Sequence, residues 1–396
     1  MLSAATHFTR AVTSAYVPPA SCCGGAIPGA AAPGGSCGWC FLSGLDFDVS
    51  GRLIAAAGVQ QRVCVFDAAA LLAAPPAGGA ALAAAAPVVD LPTAHKISAV
   101  DFGPDHASRG LLLASDYAGG LLLLDVAAGG GASAARRWDA HAQRAWCAEF
   151  APGSGGAACA SGSDDHTVKV WSVQQPRAAL TLDAGANVCA VAHHPTAGHT
   201  LAVGSADHQV LIYDLRSPRA PLATLRGHGK AVSYVRWLSE SELVTSSIDS
   251  TVRLWQAGGA AGGGAGGGEG GGEGAAGWAC GRVFTGHRNR RNFVGLSAAS
   301  PFIAVGSEAN AVVVYYKGIA NPVLTVPLTP PGGAASGGAA SGGGGGGSGG
   351  PSHFVSAVCW RGGGDWRGGG GGGAPGGGGV LAAANSQGGI WLLSLS

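Results

Sequence analysis

A single unit recurs along this chain and limits its fold more than any other feature. It is an apolar strand ending in an aromatic, a second apolar strand ending in Gly-Ser or a similar pair, a tight turn, and a third strand ending in a large apolar residue. The clearest copies are Ala145-Trp-Cys-Ala-Glu-Phe150 followed by Cys159-Ala-Ser-Gly-Ser-Asp-Asp-His-Thr-Val-Lys-Val-Trp171, and Val232-Ser-Tyr-Val-Arg-Trp237 followed by Leu243-Val-Thr-Ser-Ser-Ile-Asp-Ser-Thr-Val-Arg-Leu-Trp255. In both copies an aspartate (Asp165, Asp249) stands six residues before the tryptophan, and a histidine (His141, His228) precedes the first strand. An aspartate in the turn can accept hydrogen bonds from that histidine and from nearby backbone, with serine and indole groups extending the network. Each unit would then be locked at one corner.

This arrangement resembles the WD40 repeat. The residues that close the third strand are Phe66, Leu124, Trp171, Tyr213, Trp255, Tyr315 and Leu393, and two successive spacings are 42 residues. Seven units predict an all-β fold, a seven-bladed WD40 β-propeller. The longer spacings coincide with low-complexity runs at about 68–86, 257–277, 332–350 and 362–379, which hold much of the chain's 72 glycines. Such runs bury too little apolar surface to offset their ordering entropy, so they are expected to be disordered loop inserts. Residues 1–35 read as a disordered N-terminal segment that could partly tuck into a closing blade, and 36–396 as the propeller.

Composition removes several functions. A formal net charge of +1 gives no global field toward nucleic acid or an anionic membrane, so neither is an expected partner. Ten scattered cysteines, with no secretory signal ahead of them, suit a reducing compartment. Cys22, Cys23, Cys37 and Cys40 could together bind zinc, but they sit in Gly/Pro/Ala-rich sequence, and ordinary thiols are expected. The uncharged stretch from Ala68 to Val89 is mostly alanine broken by Pro75, Pro76 and Pro87, a poor membrane span. There is no nucleophile elbow, phosphate loop or zinc-protease motif. His193 and His194 are neighbours on a strand and so point to opposite faces, one in and one out. The expected protein is a binding module, not an enzyme, with no cofactor.

Strand register indicates where it binds. In a propeller, each first strand begins at the same rim as the second turn, so residues at these two positions crowd around one mouth of the central channel. Lys96 and Arg144 each stand six residues before a strand-end aromatic, with Trp146 two residues beyond Arg144. Lys230 opens the corresponding strand of a later unit, and Arg291 with Phe293 another. Tyr117 and His208 come from the turns. A mouth of cations and aromatics suits an extended acidic peptide that also carries an apolar or proline segment.

Further segments lie outside the general repeat pattern: Ala114-Ser-Asp-Tyr-Ala-Gly119, Arg144-Ala-Trp146, Val203-Gly-Ser-Ala-Asp-His208, Tyr213-Asp-Leu-Arg216, Lys230-Ala-Val-Ser-Tyr-Val235, Asn292-Phe-Val-Gly-Leu296, Val305-Gly-Ser-Glu308, Val355-Ser-Ala-Val-Cys-Trp360 and Ala384-Asn-Ser-Gln-Gly388. In these the chain resembles the C-terminal WD40 domain of the plant constitutively photomorphogenic E3 ubiquitin ligases and their SPA (suppressor of phytochrome A) partners. The WD40-only repressors of UV-B photomorphogenesis are a third relative, sharing the run from Arg291 to Ser297. The resemblance implies a receptor for Val-Pro peptides of transcription factors and photoreceptors, preceded by acidic residues, at Lys96, Tyr117, Arg144, Trp146, Cys189, His208, Lys230 and Phe293. It implies docking on a cullin-4 adaptor through Arg216, supported by Asp214. It also implies SPA or RING ligase subunits as partners, and a nuclear and cytoplasmic location. This sequence carries no RING, kinase-like region or coiled coil, so it is expected to be a receptor and not a ligase in its own right. A competitor in UV-B signalling and a general scaffold are the alternatives.

Overall fold

The computed structural model of the protein describes residues 11–18, 41–73, 86–126, 133–258, 277–330, 353–361 and 379–395. Among them are seven four-stranded antiparallel sheets, one for each sequence unit. The inner strands are Leu42–Phe47, Ile97–Phe102, Ala145–Phe150, Val188–His193, Val232–Ser239, Leu296–Ala299 and Val355–Trp360. They define blades 1 to 7 of an all-β, seven-bladed WD40 propeller.

Its core lies between blades. Seven hydrophobic clusters among the described residues each join two neighbours, for example Leu201, Val203 and Tyr213 of blade 4 with Ala160, Val168 and Leu182 of blade 3. Both faces of the middle strands are therefore buried, which is why they read as nearly continuous apolar runs. The Gly-Ser signature ending the second strand follows from the same packing. A Cβ added at Gly162 would lie 2.3 Å from Val188 of the next blade, and at Gly306 only 1.9 Å from the carbonyl oxygen of Val294.

A second set of joints lines the channel. In five of the seven blades a residue near the end of the inner strand reaches to the next blade. Asp46 Oδ2 accepts from Phe102 N at 2.7 Å, Asp101 Oδ2 from Phe150 N at 2.8 Å, and Glu149 Oε1 from His193 N at 3.0 Å. Ser297 Oγ accepts from Trp360 N at 3.1 Å, and the Cys359 thiol meets Asp46 Oδ1 at 3.2 Å, closing the series across blades 6, 7 and 1. Burial pushes the Asp46 carboxyl up to about 6, against the lowering effect of the Phe102 N–H.

The corner networks take the expected form. In blade 3 the Trp171 indole N–H donates to Ser161 Oγ (2.9 Å), Ser161 meets His141 Nε2 (2.7 Å), and His141 Nδ1 meets Asp165 Oδ2 (2.9 Å). Blade 5 repeats this with Trp255, Thr245, His228 and Asp249.

Two segments carry structure where the sequence reads as disordered, the first of them as the partial tuck into a closing blade. Within 1–35, read as disordered, residues Ala11–Val17 form the outer strand of blade 7, pairing antiparallel with Ile390–Leu395 and closing the ring. Val17 is buried and Tyr16 stacks on Trp391 at 4.9 Å, so this short strand finds its apolar partners only through a residue far along the chain. Within 68–86, Ala68–Ala73 is an α-helix; Asp67 Oδ1 accepts from Ala70 N, and Leu71 and Leu72 pack on the blade 7/blade 1 cluster. The rest of these two segments and nearly all of the other three inserts lie outside the described residues, as do Cys22, Cys23, Cys37 and Cys40. The flanks of two inserts are joined by Gly258 N to Gly277 O and Arg361 N to Val380 O, which places those inserts at hairpin connections.

His193 occupies the register that holds Phe47, Phe102 and Phe150 in blades 1 to 3. It is 3% exposed, its Nδ1 has no partner, and burial pushes it down to about 4 from the ordinary histidine value of 6.5. A histidine lowered in the folded state favours the neutral ring. Its contribution is complete above pH 6.5 and is lost as pH falls toward 4. His193→Phe removes an unsatisfied polar atom and keeps the backbone bond to Glu149, so it is expected to stabilise the protein by about 1 kcal/mol. Urea unfolding at pH 7 and pH 5 checks this: the gain should be larger at pH 5. Equal or lower stability at both would contradict it. His194 faces outward, its Nε2 meeting the Glu240 carbonyl at 2.8 Å.

Candidate functional site

One backbone hydrogen bond repeats at the top of every blade: the first residue after the second strand donates its N–H to a carbonyl in the segment leading into the inner strand, one residue ahead of it except in blade 6, where it lies eight ahead. The pairs are Val59 to Phe41, Tyr117 to Lys96, Asp164 to Arg144, Ala206 to Asn187, Ile248 to Ala231, Glu308 to Arg288 and Ser386 to Phe354. This joint is what brings the turn residues and the strand-opening residues to one rim.

Below the rim is a cavity of about 310 Å³ at the start of the channel. Of the eight residues expected at the mouth, Tyr117, Trp146, Cys189 and Phe293 line its wall. Arg144 lies beside them, its guanidinium carbon 4.3 Å from the Tyr117 ring centre and 4.7 Å from that of Trp146. Lys96, Lys230 and His208 stand exposed on the rim outside the wall. His208 sits in a left-handed turn conformation (φ 74°).

The aromatic groups form one connected set. Trp146 of blade 3 meets Phe293 of blade 6 edge-on at 4.7 Å, across the mouth, because blades 4 and 5 lie between them in the ring. Tyr117 is 6.2 Å from Trp146 and Tyr234 is 6.1 Å from Phe293. Burial raises the Tyr117 phenol above its ordinary value and the Cys189 thiol to about 12, so both are neutral, with their protons in place, at pH 7. The mouth thus offers apolar faces and a stacked cation. No carboxylate among the described residues forms an ion pair with Arg144, and its buried Nε has no hydrogen-bond partner.

Sequence reasoning left Tyr234, Phe41 and Phe354 out of the site, although all three line the cavity. Phe41 and Phe354 directly precede the inner strands of blades 1 and 7, the register that singled out Lys96 and Arg144. Applied to every blade and to aromatics as well as cations, the same rule finds them. Arg291, noted in the sequence with Phe293, is also in the wall.

Asp214 and Arg216 are elsewhere. Asp214 pairs with Thr200, at the strand ends opposite the mouth. Arg216 donates from Nε to Oδ1 (3.0 Å) and from Nη2 to Oδ2 (2.7 Å) of Asp214, and its side chain is 68% exposed. These hydrogen bonds from Arg216 hold the Asp214 carboxyl down to about 2. A second cavity, about 400 Å³, opens on that far side of the channel.

Among the described residues no group of three or more His, Cys, Asp or Glu is placed to hold a metal ion, and no helix is long and apolar enough to cross a membrane.

The family model "WD domain, G-beta repeat" matches residues 133–172, and "Nucleolar protein 10-like, N-terminal domain" matches 157–318. The WD repeat-containing protein RUP2 of Arabidopsis thaliana is 30% identical over 300 residues, covering 71% of this chain and 74% of RUP2. The chain belongs to this WD40-repeat family. The E3 ubiquitin-protein ligase COP1 of Pisum sativum is 34% identical over 282 residues, 71% of this chain, and the protein SUPPRESSOR OF PHYA-105 1 of Arabidopsis thaliana is 34% identical over 279. This WD40 chain covers only 38% of that COP1 and 25% of the SUPPRESSOR OF PHYA-105 protein.

Proposed function

We propose that this propeller is a peptide receptor in light-signalling ubiquitin ligation, taking extended acidic Val-Pro segments of transcription factors and photoreceptors at its mouth. The observation that carries the reading is the Arg144 guanidinium, stacked between Tyr117 and Trp146 beside an aromatic cavity and without an acidic partner among the described residues. A cation held this way is prepared for a carboxylate from outside. The Trp146 and Phe293 faces suit a Val-Pro pair, which is already extended and loses little entropy on binding. Lys96 and Lys230 extend the positive rim toward further acidic residues, with His208 beside them. Kinship with COP1 and SUPPRESSOR OF PHYA-105 supports the ubiquitin and light-signalling context, and with it a nuclear and cytoplasmic location.

Titration of a fluorescent acidic Val-Pro peptide tests this. Saturable binding that weakens as salt rises is expected. No saturation, or equal binding after the acidic residues are replaced by lysine, would refute it.

Arg216, paired with Asp214 on the far face, is proposed to dock on a cullin-4 adaptor. Arg216→Ala is expected to weaken adaptor binding roughly thirtyfold, about 2 kcal/mol for an interfacial arginine of this kind, while leaving peptide binding unchanged. Surface-immobilised adaptor reads the first quantity and the peptide titration the second.

A second reading, competition for the same peptides without delivering them to a ligase, is favoured by the match to RUP2 over 74% of its length. Added in excess to COP1 and a ubiquitination substrate, the chain would slow substrate modification under this reading.

A further inference from the structure

Two carboxylates stand in the rim of a mouth read here as a receptor for acidic peptides, where they oppose the ligand's charge. Of the seven residues that make the repeated top hydrogen bond, Asp164 and Glu308 are the two acids; the others are Val59, Tyr117, Ala206, Ile248 and Ser386. Each is committed to an aromatic of the site. Asp164 Oδ1 accepts from the Trp146 indole N–H at 2.7 Å and from Asn187 Nδ2 at 2.6 Å. Glu308 Oε1 accepts from the backbone N–H groups of Arg291 (2.7 Å) and Asn292 (3.0 Å) and from Asn292 Nδ2 (3.2 Å), so it grips the loop that ends in Phe293. Burial alone would raise the Glu308 carboxyl, yet the N–H groups of Arg291, Arg290 and Asn292 hold it below the ordinary glutamate value.

We infer that Asp164 and Glu308 are positioning residues of the mouth, one aiming Trp146 and the other placing Phe293 so that the two rings meet across the channel. The inference rests on the peptide-receptor reading for its functional meaning, but the placement itself can be measured without a peptide. Free to rotate, the Trp146 indole would lose its stacked guanidinium and its edge contact with Phe293 together.

The geometry allows an unusual test. Trp146 Nε1 and Asn187 Nδ2 both reach Oδ1 of Asp164, and the Arg291 and Asn292 donors all reach Oε1 of Glu308, while the exposed Arg288 guanidinium stands 3.9 Å from Oε2. Asp164→Asn and Glu308→Gln can therefore keep every one of these bonds while removing a negative charge from a mouth that binds acids. Asp164→Ala and Glu308→Ala remove both the bonds and the charge. In the peptide titration the alanine variants are expected to lose affinity roughly tenfold, about the net value of one hydrogen bond to a charged group. The amide variants should bind as well as wild type or a few-fold more tightly, with the gain disappearing at high salt. A residue that only supports the fold, or only lines the surface, would not give opposite signs for its amide and alanine replacements.

The peptide-free readout is the Trp146 indole N–H resonance, assigned by its absence in Trp146→Phe. It should shift and lose exchange protection in Asp164→Ala and stay close to its native position in Asp164→Asn. An unchanged resonance in Asp164→Ala, or amide variants as weak as the alanine ones, would overturn the inference. If wild type binds no acidic peptide, the receptor reading fails, and the indole resonance still decides whether Asp164 positions Trp146.

Discussion

Reversing one charge, Arg144→Glu, is expected to weaken binding of an acidic Val-Pro peptide at least a hundredfold, about 2.7 kcal/mol. Three losses combine. The guanidinium that would pair with the peptide carboxylate is gone. Its stacking on Tyr117 and Trp146, at 4.3 and 4.7 Å, goes with it; a cation over an aromatic ring contributes about 0.5–2 kcal/mol. A new carboxylate then faces the ligand's own acids in a partly desolvated cavity, where like charges repel more strongly than in water. Trp146→Ala should give a loss of similar size by a different route, because this ring touches both Arg144 and Phe293. Lys96→Glu, on the exposed rim, should cost less and depend more on salt. Fluorescence anisotropy measures all three. The stability of Arg144→Glu in thermal unfolding should fall by no more than the lost stacking, about 0.5–2 kcal/mol, since no described carboxylate of the native protein pairs with this arginine. Affinity within threefold of wild type for both Arg144→Glu and Trp146→Ala would remove the assigned site.

The largest stability effect is expected at Asp249. Its carboxylate accepts from Gly229 N (2.9 Å), Thr251 N (2.8 Å), Thr251 Oγ1 (2.7 Å) and His228 Nδ1 (3.1 Å), tying the turn of blade 5 to the segment before its inner strand. Asp249→Ala breaks all four and leaves the buried His228 Nδ1 with only Thr251 Oγ1, at 3.2 Å, as a partner. Water regains part of these bonds at a partly exposed turn, so the cost is about 3 kcal/mol, the net value of one or two hydrogen bonds to a charged group. Urea unfolding should register it as a lower midpoint; a loss under about 1 kcal/mol would mean the network contributes little. The companion aspartate in blade 3 sets the pH window. Burial opposes ionisation of Asp165, yet hydrogen bonds from Thr167 and the neighbouring His141 hold its carboxyl down to about 2 from the ordinary 3.8. A carboxyl lowered in the folded state stabilises fully above the unfolded value, and that contribution disappears as pH falls from about 4 to 2.

Blade 6 shows how far such a network can be altered. Ala309 stands at the aspartate's position and Tyr315 at the tryptophan's, with the Tyr315 hydroxyl meeting His287 Nδ1 at 2.9 Å. Without a carboxylate in contact, burial pushes His287 down to about 4. The blade nevertheless closes, because Ser307 and Glu308 grip the Arg288–Asn292 loop from the same turn. One corner lock has been exchanged for another, and the replacement is also the one that places Phe293.

Much of the fold was legible before any coordinates. Strand, turn and closing residue recur locally, and the Asp-to-Trp spacing lies within a single hairpin. The mouth was partly legible, because register alone sends Lys96, Arg144 and Tyr117 to one rim. What stayed hidden depends on contacts between blades. Tyr234 carries no mark in its own repeat; it belongs to the site because Phe293 of the next blade leans on it. That the N-terminal segment could tuck into a closing blade was legible, but which residues do so was not: Ile390–Leu395 supplies the hydrogen bonds of Ala11–Val17. Asp46, Asp101 and Glu149 read as ordinary strand residues, whereas each joins its blade to the following one.

By itself, then, the sequence determined the blade: its four strands, its turn chemistry and the number of copies, all set by interactions within about forty residues. Tertiary structure decided how the copies close and what they build between them. Ring closure brings blade 3 opposite blade 6, so Trp146 meets Phe293 across some 150 residues of chain. It also leaves Arg144 stacked without an acid among the described residues, since charge pairing across the mouth is a property of the assembled ring and of no single repeat.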